Sequence, residues 1–306
     1  MTFSPQLAPG RHVEEAFPLA RLTTVGIGGP ARWFANVDTL AELERLLAWA
    51  AGARVTVVPI GLGSNVLAAD AGVDALVIRL SGDLAAIEIK GDRLLAGGGA
   101  SNAVCLHHAR RAGLGGMEFA CAIPGTAGGG IRMNAGAFGS DWSDVVAAAL
   151  VVDAGGVSWR SLEELGLSYR HSALAPGEIV AGVEFRLAPR PPAEIRQTVA
   201  DLNARRKATQ PTNRRTFGSV FKNPDRELGA GRMLDLCGLK GFTVGGARIS
   251  PRHANFIENV DGARASDAIA LMAEARRRAW EEFGVELERE VELLGDLDLP
   301  PLGESP

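Results

Sequence analysis

Ile123-Pro124-Gly125-Thr126-Ala127-Gly128-Gly129-Gly130-Ile131-Arg132-Met133-Asn134-Ala135-Gly136-Ala137-Phe138-Gly139 is the stretch on which the fold turns. Six glycines lie between apolar ends, Thr126 and Asn134 are among its few polar side chains, and Arg132 is its only charge. Glycine loses more backbone freedom on folding than any other residue. A long glycine loop is therefore costly unless bare backbone is needed, and an ordinary turn between strands needs only one or two glycines. A bound pyrophosphate is such a need, because stripped N–H groups can approach its oxygens.

A second loop of this kind lies upstream. Val55-Thr56-Val57-Val58-Pro59-Ile60 reads as a buried strand, and Gly61-Leu62-Gly63-Ser64-Asn65-Val66-Leu67 follows it directly. Neither loop is a P-loop, since no Gly-Lys-Ser/Thr follows the glycines. Neither carries the G-x-G-x-x-G dinucleotide fingerprint, since position 66 is Val. Two such loops suit one extended, doubly charged cofactor held in some other fold.

The chain has 306 residues, which suggests about two domains. Its apolar fraction of 46% is that of a globular protein with a core. A net charge of −4 gives no sign of a nucleic-acid partner, although Arg205, Arg206, Lys207, Arg214 and Arg215 could meet a small anion. Residues 1–10 lack the basic start and apolar core of a secretory signal. No apolar run approaches the ~20 residues of a membrane helix. Cys105, Cys121 and Cys237 are odd in number and widely spaced, which reads as thiols in a reducing compartment. The five histidines form no metal spacing, so no metal is expected. These features together predict a cytoplasmic protein.

Along the chain, Thr39-Leu40-Ala41-Glu42 is a capping box and opens a helix that Gly52 stops. Strands are expected at 76–80, 86–89, 92–96, 145–153, 157–160 and 179–187. Ser101 caps a helix ending near Gly113. Pro189-Arg190-Pro191-Pro192 is the linker candidate, with a helix over about 193–207 behind it. A short helix near 232–236 and a strand region over 241–259 follow. Ser266 is expected to cap a helix running to Phe283, with Ile269, Met272, Ala273, Trp280 and Phe283 on one face. Residues 285–294 read as a final strand. Strands interleaved with helices in two parts indicate an α+β or α/β protein.

Three islands concentrate polar groups. Tyr169-Arg170-His171-Ser172 holds the only tyrosine in the chain. In Phe217-Gly218-Ser219-Val220-Phe221-Lys222-Asn223-Pro224 a hydroxyl sits between glycine and apolar residues. In Glu288-Arg289-Glu290-Val291, Glu288 and Glu290 would share one face of a strand. Taken singly these could be a surface turn, a satisfied turn hydroxyl and a solvated edge.

Taken together with 20–31, 61–67, Ile123–Thr126, Met133–Gly139, Lys240-Gly241 and His253-Ala254-Asn255-Phe256-Ile257, they resemble the UDP-N-acetylenolpyruvoylglucosamine reductase family from about residue 20 to 295. The resemblance implies an α+β protein. A non-covalently held FAD would sit in a domain of the p-cresol methylhydroxylase type, beside a smaller α+β substrate-binding domain. It implies a tail over 1–19 and an FAD domain over 20–188, in two subdomains (20–70 and 71–188). A substrate domain over 193–284 and a terminal strand over 285–297 returning to the FAD domain would follow. The short connection between Ser172 and Ile179 places the chain with compact members that lack a tyrosine-bearing insertion.

The resemblance also implies the chemistry. NADPH delivers hydride to flavin N5, and the enolpyruvyl ether of UDP-N-acetylglucosamine then receives it at C3, giving UDP-N-acetylmuramate for peptidoglycan. By motif, Arg170 and Glu290 meet the charge developing on the carboxylate, with Glu290 either protonated or holding Arg170 in place. Ser219 matches the donor of the proton to C2. Gly61, Gly63, Ser64, Asn65, Gly125, Thr126, Gly129 and Asn134 match FAD contacts. Tyr169, Lys222, Asn223 and His253 match positions near the nucleotide sugar. Two departures bear on the pyrophosphate: Thr209 and Glu292 stand where relatives often carry basic residues, and Lys207, Arg214 or Arg215 could substitute. Partners are then the small-molecule substrate and NADPH, with no nucleic acid or membrane.

Two other readings were open. One is a different flavin oxidoreductase acting on alcohols or sugars. Many of those hold flavin through a histidine near the first glycine loop, and no histidine occurs between His12 and His107. The other is a nucleotide-binding regulatory module that lost its chemistry, which would predict degraded Arg170, Ser219 and Glu290; all three are present.

Overall fold

The structure, a computed structural model, describes residues 6–8, 11–224 and 227–302. Residues 1–5 and 9–10 of the expected N-terminal tail lie outside that set. The described chain forms two compact units, and both are built from discontinuous segments. The first holds the described residues within 1–16, 33–62 and 75–205, and the second those within 17–32, 63–74 and 206–302.

The first unit is built on a five-stranded antiparallel sheet in the order Gly156–Ser161, Val146–Asp153, Ile179–Arg186, Arg93–Gly97, Ile87–Lys90. A four-stranded sheet accompanies it, in the order Glu14–Pro18, Pro30–Val37, Val73–Leu80, Val57–Pro59, its last pair parallel. The expected tail is thus an edge strand from Glu14 onward. Helix α1 (Leu40–Ala53) starts at the expected capping box, with Thr39 and Glu42 bonded reciprocally. It packs Leu43, Leu46 and Leu47 into a core with Trp33, Leu76 and Ile78. Helix α2 (Asn102–Arg111) is capped by Ser101, whose hydroxyl accepts from the Val104 amide at 3.3 Å.

The glycine stretch is not a continuous loop. Residues Ala127–Met133 form helix α3, capped by the Thr126 hydroxyl and ended by Asn134 in a left-handed conformation (φ 37°). Packing overrides the poor helix propensity of glycine here. A Cβ at Gly130 would stand 2.4 Å from Trp142 Nε1, and one at Gly128 would stand 2.8 Å from the Val180 carbonyl oxygen. Trp142 lies against Phe119 and Phe185 in the second core cluster of this unit.

A short helix α4 (Leu162–Leu165) precedes the last strand of the sheet, and α5 (Pro192–Thr209) follows it. The proline-rich run before α5 is tied down rather than loose. Ala188–Pro189 pairs with Leu114–Gly115, Arg190 N donates to Gly113 O at 2.8 Å, and the Arg190 guanidinium meets Glu118 at 2.8 Å. The boundary between the compact units falls at 205/206, near the end of α5.

The second unit is an antiparallel sheet in the order Thr216–Ser219, Phe256–Asn259, Ala247–Ile249, Thr243–Val244, packed with α6 (Ala230–Leu236) and α7 (Ala265–Phe283). Helix α7 buries Ala268, Leu271, Met272, Ala275 and Ala279, whereas Trp280, expected on that face, is 50% exposed. Its cap also differs from expectation. Ser266 lies inside the helix, and the first amides donate to the Asp70 carboxylate: Ala265 N at 2.8 Å and Ser266 N at 3.2 Å. Only Glu292–Leu294 of the expected final strand forms a ladder, parallel to Val66–Ala68; before it stands a single bridge, Phe221 with Arg289.

Candidate functional site

The sequence-derived site residues divide between the two units. In the first unit they gather around α3. Gly61 stands so close to the cap that a Cβ there would lie 2.7 Å from Thr126 Oγ1. The first amides of α3, expected to be bare, are taken up internally. Ala127 N donates to Ala100 O at 2.8 Å, Gly128 N to Gly98 O at 2.9 Å, and Gly129 N to Thr126 Oγ1 at 3.3 Å. By contrast, among the described residues the amides of Gly61 and Leu62 donate to no backbone carbonyl.

The glycines of α3 also separate by environment. Gly128 and Gly130 are required by their neighbours, while a Cβ at Gly129 would meet only Thr126 Oγ1, at 3.5 Å. Gly129 is exposed. Internal packing therefore does not account for glycine there, whereas close approach of a ligand does. An exposed glycine surface beside uncommitted amides fits an extended pyrophosphate cofactor.

Arg170 sits at the tip of a tight turn in the left-handed region (φ 53°), bracketed by two bonds between Ser168 and His171, each 3.1 Å. A long side chain held in that region is uncommon and is found where surrounding contacts over-determine it. Those contacts are present. The Arg170 Nη2 donates to Gly136 O at 2.8 Å, and its guanidinium lies 5.0 Å from the Tyr169 ring centroid. Asn134, only 1% exposed, donates from Nδ2 to Ser168 O at 2.9 Å and accepts from Ser143 N at 3.1 Å. The Ser172 hydroxyl donates to Arg132 O at 2.6 Å. Arg132 itself holds the following loop, donating to the carbonyls of Ala175 and Glu178 at 2.9 Å each.

In the second unit the segments that carry Ser219 and Glu290 are joined at the carbonyl of Val220, the residue after Ser219. Glu290 N donates to Val220 O at 2.8 Å, while the Asn65 side chain donates to Glu290 O at 3.0 Å and Asn65 O accepts from Glu292 N at 3.0 Å. Gly218 precedes the serine with φ +83°, a conformation that turns the strand at Ser219 and suits glycine. Phe217, Val220 and Phe221 are all buried, which anchors the hydroxyl on both sides.

Lys222 is pinned twice to Glu288, by its own amide at 2.9 Å and by its ammonium at 2.6 Å. Asn223 Oδ1 accepts from Ala230 N at the start of α6, at 3.0 Å. His253 Nδ1 accepts from Asn255 N at 3.2 Å, leaving Nε2 as the nitrogen that carries a proton in the neutral ring. Burial is the main cause that holds the His253 imidazole below its ordinary value, with nearby Lys240 adding to it. Glu292, one of the two departures, faces Arg289 at 3.7 Å.

Asn255 carries a part that no sequence signal assigned. Its side chain accepts from Phe221 N at 3.0 Å and donates to Phe221 O at 2.8 Å, and its carbonyl accepts from Val220 N at 3.0 Å. It fixes the backbone of Val220 and Phe221, between Ser219 and Lys222. The motif His253–Ile257 was the only pointer to it. Among the described residues no group of three His, Cys, Asp or Glu side chains could hold a metal ion, and no helix is long and apolar enough to cross a membrane.

Comparison with known proteins bears on both units. Residues 31–161 match the family model of an FAD binding domain, and residues 210–294 match that of the UDP-N-acetylenolpyruvoylglucosamine reductase C-terminal domain. The chain is 45% identical over 289 residues to UDP-N-acetylenolpyruvoylglucosamine reductase 2 of Symbiobacterium thermophilum, covering 94% of this chain and 93% of that one. It is 42% identical over 304 residues to the reductase of Anaeromyxobacter dehalogenans, covering 98% and 91%. The crystal structure of UDP-N-acetylenolpyruvylglucosamine reductase from Thermus caldophilus superposes with a TM-score of 0.82 at 39% identity, over 95% of this chain and 100% of that one. On the level and extent of these matches the chain belongs to the UDP-N-acetylenolpyruvoylglucosamine reductase family, a flavin-dependent oxidoreductase family whose FAD-binding domain it carries.

Proposed function

We propose that this protein reduces the enolpyruvyl ether of UDP-N-acetylglucosamine to UDP-N-acetylmuramate, using NADPH and non-covalently held FAD. The reading is carried by one observation in the second unit. The hydroxyl residue Ser219 and the carboxyl residue Glu290 lie on backbones joined at Val220 O by a 2.8 Å hydrogen bond, beside a chain segment that belongs to a flavin-reductase family.

Bound FAD would supply hydride transfer from NADPH to C3 of the enolpyruvyl group. The chain's own residues do the rest. Arg170 offers a planar fork suited to the substrate carboxylate, where negative charge develops as C3 is reduced. A fixed donor aimed at such a charge is worth roughly 3 kcal/mol in a water-excluded site. Ser219 gives its proton to C2; a hydroxyl is a poor acid in water, but the developing carbanion is strongly basic. Glu290 serves the carboxylate end, either as a protonated donor or by holding Arg170.

For the cofactor, Gly61, Gly63, Ser64, Gly125, Thr126 and Gly129 form the proposed contact surface. For the nucleotide sugar the proposed contacts are Tyr169, Lys222, Asn223 and His253. The three cysteines, none of them in a disulfide, suit a cytoplasmic setting.

The test is anaerobic reduction of the purified yellow protein with NADPH, followed by addition of the enolpyruvyl nucleotide. Reoxidation of the flavin with formation of UDP-N-acetylmuramate supports the reading. A protein that takes up no FAD, or whose reduced flavin ignores the nucleotide, would end it.

A further inference from the structure

An asparagine at the end of each glycine-rich segment bonds a backbone carbonyl at Glu290 or in the turn that carries Arg170. In the second unit, Asn65 follows Gly63-Ser64 and donates from Nδ2 to the Glu290 carbonyl at 3.0 Å. Its own carbonyl accepts from Glu292 N at 3.0 Å, so the backbone over residues 290–292 is gripped from both sides of the peptide. In the first unit, Asn134 closes α3 and donates to Ser168 O at 2.9 Å, at the base of the turn that presents Arg170. That side chain is 1% exposed, its amide oxygen is occupied by Ser143 N, and its backbone takes the left-handed conformation that Asn tolerates.

We infer that Asn65 and Asn134 are positioning residues, which set the placement of Glu290 and of Arg170, rather than residues that hold the cofactor. The inference deepens the proposed reaction and rests on the roles given there to Glu290 and Arg170. Chemically the case is strongest for Asn134, because both ends of its amide are already bonded inside the protein and almost none of it reaches solvent. A buried amide that makes two internal bonds has little left to offer a ligand, and loss of its donor removes one of the two hydrogen bonds the Ser168 carbonyl accepts, leaving only the one from the His171 amide. For Asn65 the bonded donor is the amide NH2, whose alternative assignment would set two oxygens against each other. Through these two side chains, the loop ending at Asn65 and the end of α3 are each tied to a residue distant in sequence.

Asn→Asp at either position keeps the shape and removes the donor. Two measurements on Asn65→Asp and Asn134→Asp test the inference, with Asn65→Ala and Asn134→Gly as second variants should a carboxylate prevent folding. The first is amide hydrogen exchange of the apoprotein. Exchange should quicken in residues 286–294 of the Asn65 variants and in residues 165–173 of the Asn134 variants.

The second measurement uses the holoenzyme in stopped flow. FAD affinity and the NADPH half-reaction should stay within about twofold, while reoxidation by the enolpyruvyl nucleotide slows by about tenfold to a hundredfold, as expected for a misplaced catalytic group. Unchanged exchange in both segments overturns the inference. So does a loss of FAD affinity that lowers both half-reactions together, which would mark the asparagines as cofactor contacts. Should the wild-type flavin ignore the enolpyruvyl nucleotide, the proposed reaction fails by itself, and the exchange data still decide whether the asparagines hold these backbones.

Discussion

The two units hold their reactive side chains by different means. In the first, Arg170 rides on a tight turn in left-handed backbone, kept there by contacts to the segment 132–136. In the second, Ser219 and Glu290 lie on extended backbone, where main-chain bonds to Val220 do the positioning and Asn255 braces the strand. A turn over-determined by side chains can be loosened by one substitution. A backbone ladder shares the load and loses little when one side chain is shortened. Variants in the second unit should therefore report chemistry, and variants in the first should report both chemistry and geometry.

The largest expected effect is at Ser219. Ser219→Ala should slow reoxidation of the flavin by the enolpyruvyl nucleotide by roughly 10²–10³, the usual reach of a proton donor, and leave reduction by NADPH intact. Equal loss in the two half-reactions, measured by stopped flow, would show that the hydroxyl serves the cofactor instead. Next comes Arg170→Lys, which keeps the charge but loses the fork and the stack on Tyr169. A loss of about 10² in reoxidation rate is expected. Full activity in that variant would mean that charge alone suffices and the strained turn has no catalytic purpose.

The glycines of α3 sharpen the comparison within the first unit. Gly130→Ala should destabilise the protein by about 1–3 kcal/mol, since the new methyl is driven into Trp142. Gly129→Ala meets open space and should raise apoprotein stability by up to ~1 kcal/mol through helix propensity while weakening FAD binding. Thermal melts with and without FAD read both. If Gly129→Ala bound FAD normally, the proposed contact at that position would fall.

A smaller effect separates the expected cap of α7 from the observed one. Asp70→Ala should cost about 1 kcal/mol and Ser266→Ala close to nothing, by thermal denaturation. The reverse order would contradict the observed hydrogen bonds. The smallest effect concerns pH. Because burial holds the His253 imidazole below its ordinary value, the unfolded chain binds the proton more readily than the folded one. The stabilising term is present above the ordinary imidazole pKa and is lost as pH falls through it toward the folded value. His253→Gln should flatten the stability profile in that window, and an unchanged slope in denaturant titrations at several pH values would assign the acid sensitivity elsewhere.

Much of this was legible in the chain. The Thr39–Glu42 capping box, the Ser101 cap and the strands from 76 to 187 follow from patterns a few residues long, and the structure has them. The site motifs around Arg170, Ser219 and Glu290 were legible as motifs. What escaped was the partner at a distance. Asp70 caps a helix almost two hundred residues further along, so Ser266 was the only local candidate for that cap. Similarly, α3 looks like a loop in one dimension, because glycine disfavours helix and nothing nearby in sequence reveals Trp142 pressing on Gly130. The face chosen for α7 failed at Trp280 for the same reason, since small residues such as Ala275 and Ala279 take the buried positions of the helix.

The order of residues by itself determined where glycine clusters, which short motifs carry polar side chains, and to which family the chain belongs. These depend on local chemistry, which a linear string preserves. Only the tertiary structure decided which amides of the glycine stretch are already bonded, that Asn65 and Asn134 grip distant carbonyls, and that the Glu290 amide bonds the carbonyl of Val220, the residue after Ser219. Hydrogen-bond partners are set by where the folded chain brings donors and acceptors to about 3 Å, and sequence spacing carries no record of that distance.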